Sequence, residues 1–215
     1  MKPIRIACLT VILFLVTVSS ALAQSPMTLT VDATDAARNM LHSKLTIPVK
    51  PGPLTLFYPK WIPGEHSPTG PINDLVGLKL SAGGRSIAWR RDDVEMFAFH
   101  CDIPQGVTTL DVTFDDVSQP ESTASAKLAR IKWNRLLVYT EGVNSDAINV
   151  TASLKLPAGW RFASALPVVS DNKNDVQFKE VSLTQLVDSP AIIGANFRKL
   201  PLSSRRDHAR DRHHG

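Results

Sequence analysis

Three histidines in the body of this chain, His42, His66 and His100, are the first residues to test for chemistry. A zinc peptidase of the commonest kind sets two histidines four residues apart on a helix, with a glutamate general base between them. None of the three has a histidine at that spacing, and each reads as a surface or structural side chain. His208, His213 and His214 sit among arginines near the C-terminus. A His-rich tract can hold a metal weakly, but catalysis needs fixed geometry that such a segment does not supply. Nucleophilic catalysis is no better supported: there is no Gly-x-Ser-x-Gly elbow, and Cys101 is predicted to be buried, which argues against reactivity. The pairs Asp92-Asp93 and Asp115-Asp116 have the carboxylates for acid–base work. Consecutive strand residues point opposite ways, so these pairs read as turn and surface charge. No glycine-rich phosphate loop follows a strand and opens a helix. The expectation is therefore no catalytic residue and no metal ligand in this chain.

One loop stands apart. Residues 61–71 are rich in proline and glycine, which fix an irregular path at low entropic cost. Trp61 offers a flat apolar surface, and Glu65 and His66 add polar handles. These three are the ligand-contact candidates, since such a set can line a cleft. The alternative reading is that Trp61 plugs the core and the loop is merely rigid.

The elements that must position this loop follow a period of two. In residues 147–156, Ile148, Val150, Ala152, Leu154 and Leu156 share one face while polar residues share the other, the pattern of a half-buried strand. Residues 108–114 and 41–49 alternate in the same way. In residues 95–103, Phe97, Phe99, Cys101 and Ile103 fall on one face, with Met96, Ala98, His100 and Asp102 opposite. Cys101 thus sits among aromatics as core packing. Weaker strands are predicted at 27–32, 54–58, 76–80, 135–139, 161–165, 176–181 and 192–197. Turn signals such as Pro51-Gly52-Pro53, Gly83-Gly84 and Pro157-Ala158-Gly159 separate them. Many short strands at this spacing imply a sandwich or barrel, and one polar face per strand favours antiparallel sheets. Ser182-Leu183-Thr184-Gln185 fits a capping box, so one short helix is predicted over Leu183–Val187, stopped by Pro190. Residues 116–129 read as a polar loop or weak helix. The fold class is all-β: an antiparallel, sandwich-like domain with one short helix near the C-terminus.

The ends differ from the body. Lys2 and Arg5 precede an apolar run over residues 6–18 and a small-residue site at Ala21-Leu22-Ala23, the order of a secretory signal peptide over residues 1–23. The apolar run is too short for a spanning helix of about 20 residues. The expected location is outside the cytoplasm, periplasmic or secreted, with no membrane attachment after cleavage. Cys8 leaves with that segment, so no disulfide can form within the remainder. The chain carries a formal net charge of +4. That excess lies in residues 2–5 and in a basic tail over 203–215, predicted to be disordered because it has no Leu, Ile, Val or Phe to bury. The body is near neutral and lacks the basic patch that nucleic acid requires. Residues 24–202 suit one domain.

Several separated motifs resemble one family in the right order. Pro59-Lys60-Trp61-Ile62-Pro63-Gly64-Glu65-His66-Ser67-Pro68-Thr69-Gly70-Pro71, within the wider stretch 54–71, is similar to the most distinctive region of the glycyl aminopeptidase family of metallopeptidases, peptidase family 61. Val31-Asp32-Ala33-Thr34-Asp35-Ala36-Ala37-Arg38 resembles its opening strand and turn, residues 89–99 the segment that follows, and residues 186–194 the close of the same domain. The likeness spans roughly residues 27–202. It implies an N-terminal all-β domain that precedes a thermolysin-like zinc domain and a PDZ-like domain, in enzymes that remove small N-terminal residues such as glycine. The zinc ligands and general base belong to the second domain and match no position here, so no cofactor is expected in this chain. From Ser203 the resemblance stops, and a truncated or out-of-frame end is expected there.

Three functions compete on this reading. The first is a non-catalytic aminopeptidase domain, inactive alone, whose partner is the family's catalytic domain. The second is a stand-alone exported module that binds a peptide or glycan through residues 61–71. The third is a hydrolase that uses His66 or His100 with Glu65. A domain that normally packs on a partner is also expected to expose an apolar patch.

Overall fold

The computed structural model describes residues 25–62, 64–117 and 126–198. The predicted signal peptide, the basic tail and most of the polar loop within 116–129 lie outside the described residues. Sixteen strands follow in order: β1 Met27–Asp32, β2 Leu41–Pro48, β3 Gly52–Phe57, β4 Leu75–Ala82, β5 Arg85–Ile87, β6 Trp89–Arg91, β7 Ala98–Ile103, β8 Thr109–Asp116, β9 Leu128–Ile131, β10 Tyr139–Thr140, β11 Asn149–Lys155, β12 Arg161–Ser164, β13 Val168–Asn172, β14 Asp175–Phe178, β15 Val181–Ser182 and β16 Ala191–Gly194. The one α-helix among the described residues, α1, runs over Leu183–Val187. No helix among them is long and apolar enough to cross a membrane.

The strands form three sheets. The largest has nine strands in the order β13-β14-β11-β1-β2-β8-β4-β5, with β15 added against β11. A second sheet runs β10-β3-β7-β6 and a third β12-β16-β9. The alternation in sequence becomes alternation in burial. β11 reads exposed, buried, half-buried, buried, half-buried, buried, exposed along its length, and Val150, Ala152 and Leu154 are its buried members. One core gathers Leu29 and Leu45 from the large sheet, Leu56 and Phe99 from the second, and Ile131 and Ile193 from the third. The result is an all-β, sandwich-like body.

The antiparallel expectation holds for every pair but one. β1 runs parallel to β11, from Met27 opposite Val150 to Asp32 opposite Lys155. No hairpin connects these strands, so no tight turn dictates their direction. The elements from β2 to β10 lie between them in sequence and supply the long connection that a parallel pair requires.

The helix forms where the sequence places it. The Ser182 hydroxyl accepts the Gln185 N–H at 3.2 Å, filling one of the helix's orphan donors. Residues 135–139 depart from expectation. A 3-10 turn covers Trp133–Arg135, and only Tyr139 and Thr140 enter a strand. Leu136, Leu137 and Val138 are all fully buried, so this segment threads the core and has no wet face to alternate with. The segment 176–181 is also divided: Lys179 leaves the ladder and donates its N–H to the Pro167 carbonyl. β5, β6 and β9 carry three or four residues, too few to show a period, and β13 has no buried residue to alternate with exposed ones.

Candidate functional site

The loop that follows β3 is held shut at its base. The Gly70 N–H donates to the Lys60 carbonyl at 3.0 Å, and the Tyr58 N–H donates to the Phe97 carbonyl at 2.9 Å. Within the loop, the Glu65 N–H reaches the Ile62 carbonyl at 3.0 Å, and the Thr69 hydroxyl donates to the Glu65 carboxylate. Lys60 crosses to the turn before β7, where its Nζ meets Glu95 Oε2 at 2.5 Å and lies 5.6 Å from the centre of the Phe97 ring. Pairing with the Lys60 ammonium holds the Glu95 carboxyl below its ordinary range, against some burial.

Gly70 is fixed by sterics rather than by its dihedral. A Cβ there would lie 2.0 Å from the Pro59 carbonyl oxygen and 3.0 Å from the Phe97 ring. Gly70→Ala is therefore expected to cost roughly 1–3 kcal/mol, the range for overpacking a filled site. Chemical denaturation of the variant, and loss of protection of the residue-70 amide from exchange, measure it.

The three predicted contact residues lie on the surface. Trp61 is 63% exposed, so it does not plug the core. Glu65 and His66 are exposed as well. Val94 and Met96 are also exposed, on the turn that Lys60 binds. The salt bridge therefore joins two segments that both offer apolar surface to solvent.

His100 is not available to Glu65. Its Nε2 meets Asp92 Oδ2 at 2.8 Å, and its Nδ1 meets Thr55 Oγ1 at 3.2 Å. Asp92 also accepts the N–H groups of Val94 at 2.9 Å and Glu95 at 2.8 Å. The backbone donor of Glu95, then His100 and the Val94 amide, hold the Asp92 carboxyl far below its usual range. This carboxylate shapes the turn beneath Val94 and Met96. Ala98, predicted on a wet face, is buried, and its N–H and carbonyl are bonded to that turn. A sequence signal for the arrangement exists in hindsight. An Asp at the start of a short turn caps the amides two and three residues on, and His100 lies one short hairpin further along.

His42 is clamped in a similar way, with Nδ1 2.8 Å from Asp115 and Nε2 3.2 Å from Asp35. The two nitrogens point to different carboxylates on opposite sides of the ring, so they share no ion. Among the described residues no group of three or more His, Cys, Asp or Glu side chains is placed to hold a metal. The Asp115 hydrogen bond, followed by that of Asp35, raises the His42 pKa above its ordinary 6.5 in spite of partial burial. A folded-state pKa above the unfolded one gives stability that is complete below the unfolded value and fades as pH rises through the folded one. His42→Gln is thus expected to lower the melting temperature by about 1–2 °C near pH 5.5 and by less near pH 9, a partly exposed pair being worth about 0.5 kcal/mol. A pair of melting curves checks the sign. Cys101 is buried, as its strand pattern predicts, and burial pushes its thiol pKa up, away from reactivity.

None of the curated proteins compared matches the chain. Among solved structures, the aminopeptidase N family protein from Idiomarina loihiensis has a TM-score of 0.66 at 17% identity, covering 78% of this chain and 29% of its own. An M1 zinc metallopeptidase from Deinococcus radiodurans gives a TM-score of 0.46 at 16% identity, covering 79% of this chain and 41% of its own. The first likeness is one of fold. The chain spans well under half the length of either protein. The model of the Peptidase M61 N-terminal domain matches residues 28–195, nearly the whole described body and every motif on which the resemblance rests. The chain belongs to the Peptidase M61 N-terminal domain family.

Proposed function

We propose that this chain is the non-catalytic N-terminal domain of an exported zinc aminopeptidase of the glycyl aminopeptidase type, and that it braces or gates the catalytic domain. The family match over residues 28–195 carries the reading. Two further observations support it. The loop 61–71 and the turn at Val94–Met96 are tied together by Lys60–Glu95 and present Trp61, Val94 and Met96 outward. A rigid apolar surface of that kind is suited to packing on a second domain. His42 and His100 are each committed to carboxylates rather than to a common ion, and the family resemblance assigns the zinc of such an enzyme to the partner domain. Export rests on the basic start, apolar run and Ala21-Leu22-Ala23 site of the sequence.

The test uses this chain and a separately expressed zinc domain from a family protein that carries both. The chain alone should release no nitroaniline from glycine p-nitroanilide, with or without zinc. It should bind the zinc domain and alter its turnover, and Trp61→Ala should weaken that binding roughly tenfold, as removal of a central aromatic anchor does. Turnover by the pure chain would overturn the reading. Equal binding by the Trp61 variant would remove the loop from the interface.

A further inference from the structure

The first strand enters the core at once. Met27, its first residue, is 3% exposed and belongs to the main apolar cluster. It lies opposite Val150 on β11, and the next residue, Thr28, lies opposite Thr151 on β11 and Thr46 on β2. Before it, Pro26 is half-buried and has no N–H to give a ladder, and Ser25 is exposed. The packed body therefore starts three residues after Gln24. Gln24 is itself the first residue left when residues 1–23 are removed at the Ala21-Leu22-Ala23 site.

A glutamine in first position has chemistry that one inside a chain lacks. Its α-amine and its side-chain amide carbon belong to the same residue and can close a five-membered ring. Such an intramolecular pair reacts at an effective concentration far above that of any dissolved amine. The step balances without a co-reactant. The α-amino nitrogen attacks Cδ and a new N–Cδ bond forms. The Cδ–Nε2 bond breaks, and Nε2 leaves as ammonia with the proton that the amine gives up. The product is a lactam whose nitrogen is an amide, so the terminal positive charge is lost, as it is on acetylation.

We propose that Gln24 is a modification site: after export it cyclises to pyroglutamate, and the lactam closes this terminus to aminopeptidases. The inference rests on the export reading, since only removal of residues 1–23 frees the Gln24 amine. An aminopeptidase takes a chain from its free α-amine, and this domain is proposed to sit beside one. Stepwise removal of Gln24 and the exposed Ser25 brings the attack to Pro26 and then to Met27, whose side chain fills the core at the start of β1 and whose backbone is paired with β11. The ring stops that sequence at its first step, because it leaves no amine to recognise. The strand that joins β11 to β2 thus keeps its packed end in the presence of the activity it serves.

The test expresses all 215 residues in an exporting bacterium and measures the intact mass of the chain recovered from the periplasm, after incubation at neutral pH. The expected mass is that of residues 24–215 less one ammonia, with no free α-amine. Pyroglutamyl peptidase should then expose Ser25 as a new terminus. Gln24→Asn keeps a side-chain amide but could close only a strained four-membered ring, so it should retain its amine. Against a broad-specificity aminopeptidase, that variant should lose its first residue roughly tenfold faster than the natural chain. A chain that begins at Gln24 and keeps both its amine and its ammonia overturns cyclisation and leaves export standing. A chain that keeps residues 1–23 fails the export reading itself, and one cut at another residue fails the cleavage site; either overturns the inference. Equal trimming of the natural chain and the variant overturns the protective role.

Discussion

Replacing Arg135 with methionine should destabilise the domain by about 3–5 kcal/mol, the cost of removing one partner from a buried ion pair. Its guanidinium sits over Asp116, with Nε 3.2 Å from each carboxylate oxygen and Nη2 2.9 Å from Oδ1. The same Nη2 reaches Asp74 Oδ2 at 2.5 Å. Asp116 is 1% exposed, so losing these donors removes three hydrogen bonds from a carboxylate held out of reach of water. The Arg135 carbonyl also accepts the Tyr58 hydroxyl at 3.3 Å. Burial, followed by the Asp116 charge, pushes the Tyr58 hydroxyl pKa well up, so it stays a neutral donor. Asp74 follows the loop 61–71 directly, and its N–H is bonded to the Pro71 carbonyl at 3.0 Å. Arg135 therefore ties the base of the exposed loop to the end of β8. Urea unfolding should show a lower midpoint with an unchanged slope. Asp74→Asn, at a more exposed carboxylate, should cost about 1 kcal/mol. Arg135→Met combined with Asp116→Leu should recover part of the loss, because the buried charge is then gone. Equal losses in the single and double variants would refute this account.

Trp133→Ala is the second large effect, expected at about 3–5 kcal/mol from the cavity left by a fully buried aromatic. Trp133 has no exposed surface. It stacks edge-on with Phe178 at 5.8 Å, and Phe178 meets Phe162 edge-on at 6.0 Å. Its indole N–H donates to the Ser189 carbonyl at 2.8 Å, joining the turn after β9 to the segment after α1. Ser164 Oγ also donates to that carbonyl, at 3.2 Å, so the acceptor keeps a partner when the indole is removed. Most of the cost therefore comes from lost packing, and Trp133→Phe should lose only about 1–2 kcal/mol. Thermal unfolding of the two variants side by side separates the contributions. A milder alanine than phenylalanine variant would contradict it.

The strands that alternate cleanly were legible in sequence because one of their faces meets water. β1, β2, β8 and β11 lie where the period of two puts them, and β7 places Phe99, Cys101 and Ile103 in the core, with Phe97 buried just before it. The helix was legible because its cap is local chemistry: Ser182 and Gln185 are three residues apart. The departure at residues 135–139 has a physical cause. Leu136–Val138 is apolar on every side because the fold closes around it, and a fully surrounded segment has no period to read. The same holds for the site. The types of Trp61, Glu65 and His66 mark a loop that can present a surface, but their exposure depends on Gly70 packing beneath Pro59 and on Lys60 crossing to Glu95, 35 residues away.

The sequence by itself determined the all-β class, the family, the capped helix and the lack of a zinc-binding helical motif in this chain, because each depends on residue types a few positions apart. Only the tertiary structure decided that β1 runs parallel to β11, that His42 and His100 are committed to carboxylates, that Trp61 faces solvent, and that β5 and β6 each end a sheet. These features join segments tens of residues apart. Their energies come from desolvated pairs and close packing, which do not exist until the chain has brought the partners together.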